Sequence, residues 1–244
     1  MEFAAGCIYC RQFLNHMKLL LIPVLFIAFS CTQKEKKTAL SRRDPAVPVV
    51  RFTNYDSCKK QVLVYKQRYR VLWPGFSKPQ KEAIFISAVT ETIIPGWIGT
   101  PWTFNGTSEI PQKGSIACGY FVTTVLRDAG LGLARIRLAQ CASEQMIVSL
   151  IQSKYIQRFR NAGMGVFMRS IEQQGYGLYI VGLDNHTGFI YNDGEEIYFI
   201  HSTFVGTGNV QKEKAFSSVV LRQSKYKVLG KLSADEKLLN RWIN

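Results

Sequence analysis

Ser115-Ile116-Ala117-Cys118-Gly119-Tyr120-Phe121-Val122-Thr123-Thr124-Val125-Leu126-Arg127-Asp128-Ala129-Gly130 reads as a helix with a cysteine in its first turn. Counted from Cys118, the residues Phe121, Val122, Val125, Leu126 and Ala129 recur at the spacing of one helical face. Ser115 stands where a cap belongs and Gly130 where the helix should stop. The cysteine therefore shares the core-facing stripe while sitting in the first turn, where unpaired amides and the positive end of the helix dipole favour a thiolate. The plain alternative is a small buried hydrophobe, because free cysteine packs well in cores. A nucleophile would need histidine partners elsewhere in the chain.

The sequence holds three histidines, and His16 lies beside the export segment described below, which leaves His186 and His201. Between these two run Thr187-Gly188-Phe189-Ile190-Tyr191, Asn192-Asp193-Gly194-Glu195 and Glu196-Ile197-Tyr198-Phe199-Ile200, read as strand, tight turn and strand. Asp193-Gly194 is a two-residue hairpin signal, since the turn needs positive φ that Asp tolerates and Gly accepts. Pairing Asn192 with Glu195 in that register sets His186 directly opposite His201 on one face of the ladder. A longer loop would move this by one or two positions. Either histidine alone reads as a satisfied polar group at a sheet edge. Together with a thiol at a helix start they have the composition of a nucleophile, a base and an orienting group.

These segments resemble NlpC-like cysteine peptidases. Gly99-Thr100-Pro101-Trp102-Thr103-Phe104-Asn105-Gly106-Thr107, then Cys118-Gly119-Tyr120-Phe121-Val122, is similar to the family's GTPYxWGG followed by DCSGFV. His186-Thr187-Gly188-Phe189-Ile190-Tyr191 matches its HVGIY strand, and Phe199-Ile200-His201-Ser202 its FIHAS strand. The resemblance covers about residues 99 to 204 and implies a papain-like α+β domain, with the nucleophile helix against an antiparallel sheet. By position it makes Cys118 the nucleophile, His186 the base and His201 the orienting third member. Ala117, Gly119 and Tyr120 stand where the family has Asp, Ser and Gly. In the family that Asp and Ser help receive the free amine of a peptidoglycan stem peptide, so their replacement leaves the triad intact and weakens that substrate. Trp102 replaces the family's usual Tyr; it is a candidate substrate-binding residue, with ordinary packing as the alternative.

With 244 residues, 47% of them hydrophobic, the chain can bury one sizeable core. Residues 1–30 read as a leader with a signal segment at 17–30, a basic start and an apolar run too short for a comfortable membrane span. Ala28-Phe29-Ser30-Cys31 resembles a relaxed bacterial lipobox, which makes Cys31 the lipid attachment point; simple cleavage nearby or an uncleaved anchor is the alternative. Residues 31–49 are polar and proline-bearing, a tether, and residues 50–244 form the single domain. The formal net charge of +14 is spread along the chain without a dense basic block in the domain or an RNA-binding aromatic signature, so nucleic acid is disfavoured. Cys7 and Cys10 lie upstream of the signal. Cys58 and Cys141 are either a disulfide or separate core residues, and the spacing of Cys118, Cys141, His186 and His201 is poor for zinc.

Other expected elements are a helix over 77–94 ended by Pro95-Gly96, a helix over 143–160, strands at 176–183, 216–221 and 225–229, and a final helix to Ile243 opened by Ser233-Ala234-Asp235-Glu236. Leu238, Leu239 and Trp242 in that last helix would pack on the domain or dock a partner. The expectation is an exported, lipid-anchored cysteine hydrolase of the bacterial cell envelope, cleaving an amide bond in peptidoglycan stem peptides through Cys118, His186 and His201, with no cofactor and no resident metal. An acyltransferase or deamidase using the same triad, and a catalytically silent wall-binding lipoprotein, are the rival readings.

Overall fold

Tyr55–Leu72 (α1) opens the part of the chain seen in the computed structural model, which describes residues 54–244. Asn54 caps that helix by accepting from the Asp56 amide. The leader, Cys31, the tether and residues 50–53 lie outside the described residues, as do His16, Cys7 and Cys10. Lys78–Ser87 (α2) begins at a Ser77/Gln80 capping box and runs into a π-helical stretch, Ala88–Ile93, and then Ile94–Trp97 (α3). Pro95 and Gly96 do not end this segment as expected. The wider π turn reseats the helix so that Pro95 enters a new first turn, where its missing N–H costs nothing.

Cys118–Asp128 (α4) is the helix read from the sequence, and Phe121, Val122, Val125, Leu126 and Ala129 on its stripe are all buried. Gly130 ends it at φ 85°, with the Leu131 amide returning to the Leu126 carbonyl. Its cap is Ala117 and not Ser115, whose hydroxyl instead meets that of Thr103 at 2.7 Å. The helix thus starts without a side-chain cap. Arg135–Gln140 (α5), Ser143–Leu150 (α6) and Met164–Gln174 (α7) follow.

The expected 143–160 helix stops at Leu150. Asp235 binds both the backbone and the side-chain nitrogen of Gln152 at 2.7 Å, which turns the chain, and Ile156–Arg160 (β1) joins a sheet. The remaining strands are Gly177–Gly182 (β2), Thr187–Asn192 (β3), Ile197–Ser202 (β4), Val210–Lys214 (β5) and Tyr226–Lys231 (β6). Their order is β1-β6-β2-β3-β4-β5, with antiparallel pairing throughout. Residues 216–221, expected as a strand, form a turn and a helix, Val219–Gln223 (α8), because the Ser218 side chain caps the Leu221 amide.

Alternation along the central strands divides the interior in two. Leu178, Ile180, Phe189 and Ile200 face the layer containing α4, while Tyr179, Val181, Ile190 and Phe199 face α7 and α8. Helices therefore cover both faces of the sheet, and the molecule is α+β. Glu236–Ile243 (α9) is capped by Asp235, two residues later than the Ser233 cap expected. Its Leu238, Leu239 and Trp242 are buried in the domain, and the Trp242 indole donates to the Ala129 carbonyl at 2.6 Å. That side of α9 serves packing and is not available to a partner.

Candidate active site

The hairpin that carries the histidines has a four-residue connection, Asp193 to Glu196, and not the two-residue loop expected. Asp193 Oδ1 accepts from the amides of Glu195 and Glu196, and Asn192 Oδ1 from that of Gly194, so side chains build the turn. The register becomes Asn192↔Ile197 and Phe189↔Ile200. This shift by two residues preserves the face, because side chains alternate with a period of two. His186 and His201 are consequently diagonal neighbours, with His186 Nε2 2.8 Å from His201 Nδ1.

Continuing the register, the residue across from His201 is Gly188. A Cβ there would lie 2.8 Å from the His201 Cβ and 2.7 Å from the Phe199 ring. The missing side chain opens the diagonal path between the imidazoles. Phe199 stacks on His201 at 3.9 Å between centroids and fixes the ring plane. On the other side, β5 places Glu213 Oε1 3.1 Å from His201 Nε2, with the Gln211 side-chain amide 3.3 Å from the same nitrogen. Glu213 is the residue that the sequence reading missed. Its strand was not anticipated, and the long loop after β4 hid the register.

Cys118 reaches the same place from α4. The amide of Thr187, next to His186, hydrogen-bonds the sulfur, as do the amides of Gly119 and Cys118 itself. Cys118 and His186 line one cleft of about 880 Å³, together with Trp102, Phe104, Tyr120 and Phe204. A second hollow of about 410 Å³ shares Cys118, Gly119 and His186 with it, so Cys118 borders both. Trp102 is on the cleft wall, its ring 5.3 Å from that of Phe204 and its amide bonded to the Gly208 carbonyl. Phe104 and Phe204 are exposed.

Gly119 has a steric cause. A Cβ at this position would come within 2.3 Å of the Ala139 carbonyl oxygen, so α5 occupies the space a serine side chain would need. The charged residue lining the larger cleft, Asp184, has its oxygens taken up by the amides of Lys225 and Tyr226 and the Ser224 hydroxyl.

No protein-family model, curated protein or solved structure matches this chain.

The electrostatics differ from the thiolate expected at a helix start. Burial pushes the Cys118 thiol up, more than the three amides pull it down. Burial, with His201 adding to it, holds the half-buried His186 well below the usual imidazole range. His201 is held down by burial against the opposing pull of Glu213. Burial also pushes the Glu213 carboxyl up, but hydrogen bonds from His201 and Ser218 outweigh it and keep the group ionised. The resting site is a neutral thiol beside a neutral imidazole. Cys58, Cys118 and Cys141 are all free thiols, and the described residues contain no cluster of His, Cys, Asp and Glu arranged to hold a metal.

Proposed function

We propose that this chain is a cysteine hydrolase of the NlpC-like, papain-like type, with Cys118 as nucleophile, His186 as base and His201 as the orienting group. The observation that carries this reading is the 2.8 Å contact between the two imidazoles, beside a thiol hydrogen-bonded by the amide next to His186. Because Nε2 of His186 is engaged by His201, Nδ1 is the nitrogen left for the thiol. As the sulfur attacks an amide carbonyl, the S–H proton passes to Nδ1, the C–S bond forms and the carbonyl electron pair moves to oxygen. First-turn amides of α4, that of Cys118 foremost, stabilise this oxyanion. Collapse breaks the C–N bond, and the leaving amine takes the proton from His186. Water, deprotonated by the same ring, then cleaves the thioester to a carboxylic acid and restores the thiol.

In this reading the protein is exported to the bacterial envelope and held there through lipid on Cys31, and the amide lies in a peptidoglycan stem peptide. Mass spectrometry of purified stem peptides incubated with wild type and Cys118→Ser tests it directly: a new fragment is expected with the wild type alone, and intact peptides in both would reject the substrate. A second reading, acyl transfer from an apolar acyl donor, is favoured by the exposed rings of Phe104 and Phe204 on the cleft wall. Passage of a Cys118-bound acyl group to an added amine in preference to water would select it.

The silent alternative is settled by alkylation. Since the thiol is pushed up and not down, iodoacetamide labelling of Cys118 should be slow in mild acid and rise with pH through and beyond the usual thiol range. His186→Ala should slow it further at neutral pH; labelling indifferent to His186 would mean that no base is at work.

A further inference from the structure

We propose that Glu213 is a positioning residue of this site, which through His201 sets the tautomer of His186 so that the nitrogen facing the thiol carries a lone pair. The inference rests on the assignment of His186 as base. An ionised carboxylate can only accept, so at 3.1 Å from Glu213 Oε1 the proton on His201 belongs to Nε2. A neutral imidazole has one N–H, which makes His201 Nδ1 an acceptor. At 2.8 Å from it, His186 Nε2 must donate. His186, neutral as well, is left with an unprotonated Nδ1, the state required to take a proton from sulfur.

The alternative order inverts every bond. A proton on His201 Nδ1 would leave Nε2 with a lone pair pointed at a carboxylate, and would turn His186 Nδ1 into a donor unable to act as base. The Gln211 amide beside the same nitrogen is neutral and can be turned to present oxygen or nitrogen, so it follows the carboxylate and does not decide the pattern. The Ser218 hydroxyl anchors Glu213 from the other side while accepting the Leu221 amide, so α8 holds the carboxylate in place. When His186 takes the thiol proton, the new positive charge is spread toward a fixed anion through a ring that need not titrate. His201 alone could orient His186 in either tautomer; Glu213 makes the choice.

The experiment reads the ring nitrogens directly, using heteronuclear NMR of the nitrogen-labelled protein at neutral pH together with the alkylation rate of Cys118. In the wild type His186 is expected protonated on Nε2 and bare on Nδ1, and His201 likewise. In Glu213→Leu both rings should show mixed tautomers, and the alkylation rate should fall about tenfold, the worth of one charge-assisted hydrogen bond. Glu213→Asp should restore the wild-type pattern at least in part. A wild-type His186 protonated on Nδ1, or a Glu213→Leu protein with unchanged tautomers and rate, would overturn the proposal. A rate that responds to His186→Ala but not to Glu213→Leu would reject Glu213 and leave the base assignment standing; a rate that responds to neither rejects the base itself. Glu213 lies on the outermost strand β5 and is partly exposed, so its replacement leaves the core intact.

Discussion

Gly188 shows how much one absent side chain decides. The imidazoles meet on the diagonal only because nothing projects from the residue across from His201. Gly188→Ala should drive the added methyl into the His201 Cβ and the Phe199 ring, 2.8 and 2.7 Å away. We expect a loss of about 1–3 kcal/mol from overpacking, together with loss of the His186-dependent part of Cys118 alkylation; denaturant midpoints and labelling rates measure the two. Cys118, His186 and His201 were legible in the sequence because each sits in a short segment with a clear local period. Trp102 was legible as a wall residue. Phe104 and Phe204 were not, because an aromatic in a loop carries no periodicity to show which way it faces. Glu213 reads locally as one charge among lysines on a solvated strand, and only its pairing across from Phe199 reveals it.

At the scale of elements, strongly patterned segments formed as expected, and two that did not show what overrides a local pattern. Residues 143–160 carry enough helix formers to continue, yet Asp235 captures Gln152 and the sheet claims the rest. Residues 216–221 have β-branched composition, yet a buried serine cap makes a helix of their second half. In the first case a contact from distant sequence, in the second a cap three residues away, outweighed propensities worth only tenths of a kcal/mol per residue. Conversely, α9 formed as expected apart from its cap, and its indole fixes the far end of the helix that presents Cys118. Trp73 and Phe85 ring contacts surround Trp242, and Lys66 binds the neighbouring Gly130 carbonyl. Trp242→Ala should cost about 3–5 kcal/mol by chemical denaturation, with the orphaned Ala129 carbonyl adding to the cavity.

Across the whole molecule, the two neutral histidines make folding sensitive to acid. Both imidazoles are depressed in the folded state, so below their ordinary value of 6.5 the unfolded chain binds more protons than the folded one. Stability is then full above that value and falls as the pH drops toward the folded-state values, by up to about 1.4 kcal/mol per histidine per pH unit. Thermal unfolding should shift down steadily over this window, and His201→Gln should flatten the dependence; a wild-type midpoint that holds level there would contradict neutral burial. The α+β character was legible, and so was the meeting of helix and hairpin. The placement of helices on both sheet faces was not, since the second face is covered by α7, whose pattern did not stand out in the chain, and α8, whose residues read as a strand. Among the described residues the sheet is bordered by β1 and β5, with residues 99–101 covering the start of β5. One border strand carries Arg158, paired with Glu144, and Arg160; the other carries Lys212 and Lys214, the latter paired with Glu196. Two copies approaching border to border would bring Arg160 and Lys212, unpaired among the described residues, toward like charges, so any such clustering should grow as added electrolyte shortens the range of the repulsion, and light scattering should register it first in brine.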